Sequence, residues 1–238
     1  ATAAGPSDEE VLALSGTSDG GALIAGTMGG SSLADAARNV EFGARNIASQ
    51  AGDGFLAKVS SSGQYEWVTP MTGTGTIDPQ AVLEVDGSNF IAGSLRGEIA
   101  FDAYTEQSSA GGSDSDLFVG MASDFGEIQW LNTVEGIGQT VAGYEPQLIS
   151  TSSDDVFLTG TFPQQAEFGS HTITAQNYGI FLAKLQETGG FDWAKSIGEG
   201  PSSYNVTDGV SIEDGGLVLA GKFEGSGKFG KYSLESSG

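Results

Sequence analysis

The side chains in this sequence best suited to chemistry are acidic. Asp114-Ser115-Asp116, Asp154-Asp155 and Glu213-Asp214 each put carboxylates within reach of one cation. Calcium is the ion such oxygens suit, since it takes roughly six to eight of them. None of the three has the Asp-x-Asp-x-Asp-Gly-x5-Glu spacing that wraps the ion. Tight turns also favour Asp, because it tolerates positive φ and bonds its own backbone. Ordinary turns are therefore the first reading of these pairs, and weak metal sites at Asp114, Asp116, Asp154 and Asp155 the second. Paired carboxylates also serve glycoside hydrolysis, but that chemistry depends on a separation that sequence does not give. The sole histidine, His171, would have to serve any Ser-His-Asp triad or multi-histidine metal site. Within Gly169-Ser170-His171-Thr172 it reads instead as a solvated residue of an edge strand or turn. No Gly-x-Ser-x-Gly elbow, P-loop or dinucleotide fingerprint accompanies it. The absence of Cys removes thiolate metal sites, thiol nucleophiles and disulfides together. The expectation is thus no enzyme, no catalytic residue and no cofactor, with Ca2+ kept as the alternative.

Charge narrows the partners. The 31 acidic and 9 basic residues give a net charge of −22, which repels nucleic-acid phosphates and anionic headgroups and favours solubility. Nucleic acid is excluded on this ground. No apolar run approaches the roughly 18 to 20 residues of a membrane span, so no transmembrane segment is expected. The opening Ala1-Thr2-Ala3-Ala4-Gly5-Pro6 suits a mature N-terminus left after signal removal. Asn205-Val206-Thr207 is a single glycosylation sequon. These features point to an exported protein: extracellular, on the cell surface or periplasmic.

The elements that must carry these residues are short strands. Gly is unusually frequent at 38 residues, and hydrophobic residues at 38% supply enough surface for a packed core. Trp67, Trp130 and Trp193 are spaced by 63 and 63, and the same interval separates Phe55, Phe118 and Phe181. Those Phe residues open Phe55-Leu56-Ala57-Lys58-Val59, Phe118-Val119-Gly120-Met121-Ala122 and Phe181-Leu182-Ala183-Lys184-Leu185. Gly63, Gly126 or Gly189 lies between each Phe and its Trp, so each copy reads as a hairpin. A second strand type ends at Gly26, Gly93, Gly160 and Gly221, which gives a fourth copy. These glycines suit a close backbone approach or a bulge. The Phe and Trp columns suit packing between neighbouring sheets. Further on come Glu41-Phe42-Gly43, Ala100-Phe101-Asp102, Glu167-Phe168-Gly169 and Lys228-Phe229-Gly230, after loops of unequal length.

Antiparallel units of about 60 residues cannot bury both faces alone and must stack on their neighbours. Radial stacking makes a β-propeller, and a β-solenoid is the rival. The expected fold is therefore all-β, a single propeller domain over residues 1–238 built of four-stranded antiparallel blades. Its repeats run about 7–75, 76–138, 139–200 and 201–238, the last incomplete. Leu234 to Gly238 corresponds to Ile47 to Gly52, just before the Phe-Leu-Ala-Lys hairpin, and residues 1–10 hold no such strand. The expectation is that a longer polypeptide or another chain completes the ring.

Asp19-Gly20-Gly21, Ala25-Gly26-Thr27, Phe42-Gly43, Asp53-Gly54-Phe55-Leu56-Ala57-Lys58-Val59, Gly63 and Trp67 together resemble the repeat of the bacterial β-propeller repeat (SBBP-type) family. The third repeat has Gly179-Ile180 before its Phe, and the second has Gly120-Met121 in place of Ala-Lys. The resemblance runs from about Glu10 to Gly238. It implies an exported scaffold or interaction surface with no catalytic motif to carry over. Thr17-Ser18-Asp19-Gly20-Gly21 also partly resembles the Asp-box of sialidase propellers, without its aromatic. Sialidase chemistry would need an arginine cluster, and only Arg38, Arg45 and Arg96 are present. The expected function is a structural scaffold contacting other protein chains, in a larger assembly, through its loops. The long stretches Met28 to Val40, with a short helical turn at Leu33 to Arg38, and Asp102 to Asp116 are the best candidates for that contact. The alternative is a carbohydrate- or calcium-binding module, and behind it a glycoside-acting enzyme.

Overall fold

The computed structural model describes residues 3–4, 9–28, 38–109, 115–137, 145–200 and 204–237, and among them every regular element is a β-strand. In chain order these are β1 (Ala3–Ala4), β2 (Glu10–Gly16), β3 (Ala22–Met28), β4 (Arg38–Phe42), β5 (Arg45–Ser49), β6 (Asp53–Val59) and β7 (Tyr65–Gly73). There follow β8 (Thr76–Val85), β9 (Ser88–Arg96), β10 (Glu98–Phe101), β11 (Tyr104–Gln107), β12 (Asp116–Ala122), β13 (Ile128–Val134) and β14 (Gln147–Ser150). The last are β15 (Val156–Phe168), β16 (His171–Leu185), β17 (Phe191–Gly200), β18 (Tyr204–Ser211), β19 (Leu217–Phe223), β20 (Ser226–Phe229) and β21 (Tyr232–Glu235). The helical turn expected at Leu33 to Arg38 falls largely outside the described residues; Arg38 itself begins β4. The stretch Asp102 to Asp116 is not all loop, because β11 pairs with β10 from Glu98↔Gln107 to Phe101↔Tyr104.

The sheets run β11-β10-β7-β6-β3-β2, β13-β12-β9-β8, β14-β15-β16-β17-β20-β21, β1-β4-β5 and β18-β19. The chain divides into two compact units, Ala1–Ser108 with Phe118–Asn132 and Ser109–Leu117 with Thr133–Gly238. In the first unit, Leu23, Ala25, Leu56, Ile77, Ile91, Leu95, Phe101 and Phe118 form one continuous core. Val40, Phe42, Phe55 and Ala57 form another. In the second unit Leu158, Phe162, Phe168, Phe181 and Ala183 are all buried. Burial of one such large apolar side chain contributes about 1.5–3 kcal/mol, so a Phe recurring in every unit is a main source of cohesion.

Three glycines of the column share one geometry. Gly26 faces Val11, Gly93 faces Pro79 and Gly221 faces Val206, and in each pair the partner strand slips register by one residue immediately afterwards. An added Cβ would stand 1.8 Å from the Glu10 carbonyl oxygen at Gly26, 2.2 Å from that of Asp78 at Gly93 and 2.2 Å from that of Asn205 at Gly221. The bulged backbone occupies the space that any side chain would need.

A second recurrence lies within each of these units and links neighbouring hairpins. The hairpin carrying Phe101 pairs back onto the end of β7 (Ala100↔Thr72), and the one carrying Phe229 onto the end of β17 (Glu199↔Lys228). The hairpin carrying Phe168 reaches back by a bridge between Glu135 and Glu167, and β4 pairs with β1 through Ala4↔Glu41.

Candidate functional site

Chemistry-bearing side chains gather first around Lys58. The strand β6 is buried along nearly its whole length, and Lys58 is only 5% exposed. Its Nζ lies 2.8 Å from Asp19 Oδ2, 2.5 Å from Asp124 Oδ1 and 3.8 Å from Glu66. Asp19 in turn is held by Thr17 Oγ1 at 2.6 Å and by the Gly21 N–H at 3.0 Å. Burial alone would lower the Lys58 pKa, but the hydrogen bonds to Asp124 and Asp19 outweigh it and hold the ammonium well above its ordinary value. The hydrogen bond from Lys58, with those of Thr17 and Gly21, keeps Asp19 far below the usual carboxylate range. A lysine held protonated is neither a nucleophile nor a Schiff-base former; it works here as a cross-link. Lys184 repeats the arrangement, 2.8 Å from Asp155 and 3.8 Å from Asp192, and its pKa is raised by the hydrogen bond to Asp155.

Asp53 and Asp116 form a second recurring constellation, 3% and 2% exposed. Asp53 accepts a hydrogen bond from the Gln50 N–H at 2.7 Å. Burial pushes its pKa up, against backbone hydrogen bonds from Gln50 and Gly73. Asp116 accepts from the Ser109 N–H at 2.7 Å, the Ser109 hydroxyl at 3.1 Å and the Gly136 N–H at 3.2 Å. Each carboxylate thus ties the start of a strand to the segment before it and to the end of the next strand (Gly73 of β7) or a residue just past it (Gly136 after β13).

Of the other acidic pairs, Asp155 and Asp214 have their carboxylates engaged within the fold. Asp114 lies outside the described residues. Asp154 sits in a turn at φ 61°, its N–H on the Thr151 carbonyl, while Asp155 serves Lys184. Asp214 accepts the Gly216 N–H at 3.0 Å. Among the described residues no three His, Asp or Glu side chains come together as metal ligands would. His171 begins β16 with its Nε2 3.1 Å from the Phe191 carbonyl oxygen. Arg45 donates through Nη1 to the Tyr65 carbonyl at 2.7 Å and through Nη2 to that of Glu66.

The aromatic columns are structural partners of these groups. Phe55, Phe118 and Phe181 are at most 1% exposed, Trp67 and Trp130 are buried and Trp193 is half-buried. The Trp67 Nε1–H donates to the Asp124 carbonyl at 2.9 Å, and its ring lies against Gly126, where an added Cβ would come within 2.6 Å. Trp130 packs near Phe90 at 6.2 Å, and Trp193 near Phe157 at 5.8 Å with Lys195 Nζ over its face. Phe42 meets Phe55 at 4.9 Å, and Phe168 meets Phe181 at 4.9 Å. The networks at Lys58 and Asp53 do not follow from the acidic pairs singled out in the sequence. For the Asp53 network the signal was the shared spacing of Asp53 and Asp116 and of Gly73 and Gly136, one repeat apart, and for the Lys58 network the recurrence of the lysine at Lys184, two repeats on.

Comparison of the chain with models of known protein families finds no match, and neither does comparison with curated proteins.

Proposed function

We propose that this chain is a run of β-propeller blades that acts as a non-enzymatic scaffold in an exported protein, making its contacts with other protein chains through the connections between strands. The architecture is supported by strand order. The runs β2-β3-β6-β7, β8-β9-β12-β13 and β14-β15-β16-β17 each place four strands side by side in chain order, as a blade does. The bacterial β-propeller repeat that the sequence resembles has the same alternation of Gly-ended strand and Phe-to-Trp hairpin. One observation carries the functional reading: the recurring groups with chemical potential, Lys58, Lys184, Asp53 and Asp116, spend their bonds inside the fold. What varies between repeats is the length and sequence of the connections, which is where scaffold folds carry specificity.

The test replaces residues 29–37 and 110–114 with Gly/Ser segments of equal length. Partners captured by the unaltered chain from its native source should be lost, with thermal unfolding unchanged. Retention of the same partners, or a rise in melting temperature with millimolar calcium or a glycan, would overturn the reading.

A further inference from the structure

The turn between β12 and β13 carries an aromatic side chain that the fold does not use. Phe125 is 80% exposed, more than any other large apolar side chain among the described residues. The first and third repeats make the same turn: the Gly63 and Gly189 N–H groups donate to the Ser60 and Gln186 carbonyls, as the Gly126 N–H does to that of Ser123. There the residue before the glycine is Ser62 or Thr188, polar and exposed. A side chain buried as little as Phe125 adds almost nothing to folding. The core therefore does not account for an apolar residue at this one turn.

The backbone beneath the ring is held from β6, β7 and β9. Trp67 Nε1–H donates to the Asp124 carbonyl at 2.9 Å, the Thr69 hydroxyl to the Gly126 carbonyl at 2.8 Å and Asn89 Nδ2 to the Ser123 carbonyl at 2.9 Å. Lys58 holds the Asp124 carboxylate, and the Phe125 and Glu127 N–H groups both donate to Ser123 Oγ at 3.3 Å. The turn that presents Phe125 is thus ordered in advance, which removes much of the entropy cost of using it in a contact. The charge around it has one sign at the surface. Asp19, Glu66 and Asp124 have side-chain exposures of 46%, 42% and 50%, while the Lys58 ammonium they share is only 6% exposed. Glu127 and Asp86 are exposed as well. The Asp86-Gly87 turn lies alongside, with an added Cβ at Gly87 standing 3.7 Å from Asp124.

We infer that Phe125 is the anchor of a protein contact: its ring enters an apolar pocket on a partner chain, and Arg or Lys side chains on the rim of that pocket meet Glu127 and Asp86. The proposal rests on the scaffold reading for there being a protein partner, and it adds the anchoring residue and the chemistry of the surface that receives it. A rigidly held aromatic side chain at the centre of a contact supplies most of its affinity. The carboxylates around it act chiefly on the rate of encounter and on the choice of a basic partner. They also set this turn against an anionic membrane surface, which the same charge repels. A second copy of the chain, with its own net charge of −22, is repelled in the same way.

The test titrates a purified partner, retained by the unaltered chain from its native source and identified by mass spectrometry, against the full chain and its variants. Phe125→Ser should weaken binding at least tenfold with thermal unfolding unchanged, since an exposed ring leaves no cavity, and Phe125→Trp should keep most of the affinity. Glu127→Lys should slow association several-fold and flatten its dependence on sodium chloride. Equal affinity of Phe125→Ser, where replacement of residues 29–37 and 110–114 abolishes binding, would overturn this proposal and leave the scaffold reading standing. If the unaltered chain retains no partner, both fall. Binding of the chain to phosphatidylcholine vesicles that is lost in Phe125→Ser would overturn the proposal in favour of a lipid surface.

Discussion

At the scale of single residues, the buried carboxylates are the most informative positions. Both oxygens of Asp116 accept: Oδ2 takes the Ser109 N–H and hydroxyl, and Oδ1 takes the Gly136 N–H. Asn would turn an NH2 group toward one of these donors and leave it buried without an acceptor, at a cost of about 1–3 kcal/mol. Asp116→Asn should therefore lower stability by that amount in chemical denaturation, and a neutral result would show that the carboxylate is not the staple. A calcium ligand would behave differently, with a loss that appears only when the ion is present. Sequence alone drew attention to Asp116 through its neighbour Asp114 and a metal chemistry. Spacing of 63 residues from Asp53 was the better guide, since a residue repeated in register with a core Phe serves the repeat. Which backbone groups these carboxylates hold was not legible, because Ser109 and Gly136 approach Asp116 only through the fold.

At the scale of elements, the glycine column separates two kinds of constraint. At Gly26 the obstacle is the Glu10 carbonyl, 1.8 Å from an added Cβ, and a bulged backbone cannot retreat without breaking the pairing of β2 with β3. At Gly160 the nearest atoms belong to the Phe181 ring, at 3.0 Å, and a ring can shift by a few tenths of an ångström. Gly26→Ala should cost about 3 kcal/mol or more and Gly160→Ala about 1 kcal/mol, the upper and lower ends of overpacking costs. Equal losses in parallel thermal melts would refute the distinction. Strand type was well marked in the sequence: the hairpin from Phe181 to Lys195 is formed by β16 and β17, and Gln147 to Ser150 is β14. The joining of β15 and β16 into strands of 13 and 15 residues was not marked. Their outer ends add a second hairpin around Phe168 and His171, continuous with the inner pairing apart from a slip between Pro163 and Gln165. Local pattern could place a turn at Gly169 but not the continuity of the strands that lead into it.

At the scale of the whole molecule, charge decides how stability responds to solution conditions. A net charge of −22 opposes compaction through self-repulsion, which salt screens over a length of about 10 Å at 0.1 M. The Lys58 pairs are screened much less, because Lys58 is buried. Sodium chloride should therefore raise the melting temperature between low and moderate ionic strength, by about 2–4 °C for each kcal/mol of repulsion removed. Acid has two opposed effects. Asp53 has a folded pKa raised by burial, so its unfavourable contribution is present at neutral pH and is relieved as the pH falls. Asp19 has a folded pKa below its unfolded value near 3.8, so its stabilising contribution is complete above that pH and is lost as the pH falls further. Lys58, raised above its ordinary 10.5, contributes below that value and loses the contribution as the pH climbs past it. Stability should therefore climb as the pH falls from neutrality, while repulsion and the burial penalty of Asp53 decline, and then fall below the unfolded Asp value near 3.8, where the unfolded chain takes up a proton that folded Asp19 does not. Calorimetry across pH 3 to 8 checks the shape, and Lys58→Met sharpens it. Without the ammonium, Asp19 has lost the largest cause of its lowered pKa and the fall below about pH 4 should become shallower. A variant whose acid limb is as steep as that of the unaltered chain would show that other carboxylates set it.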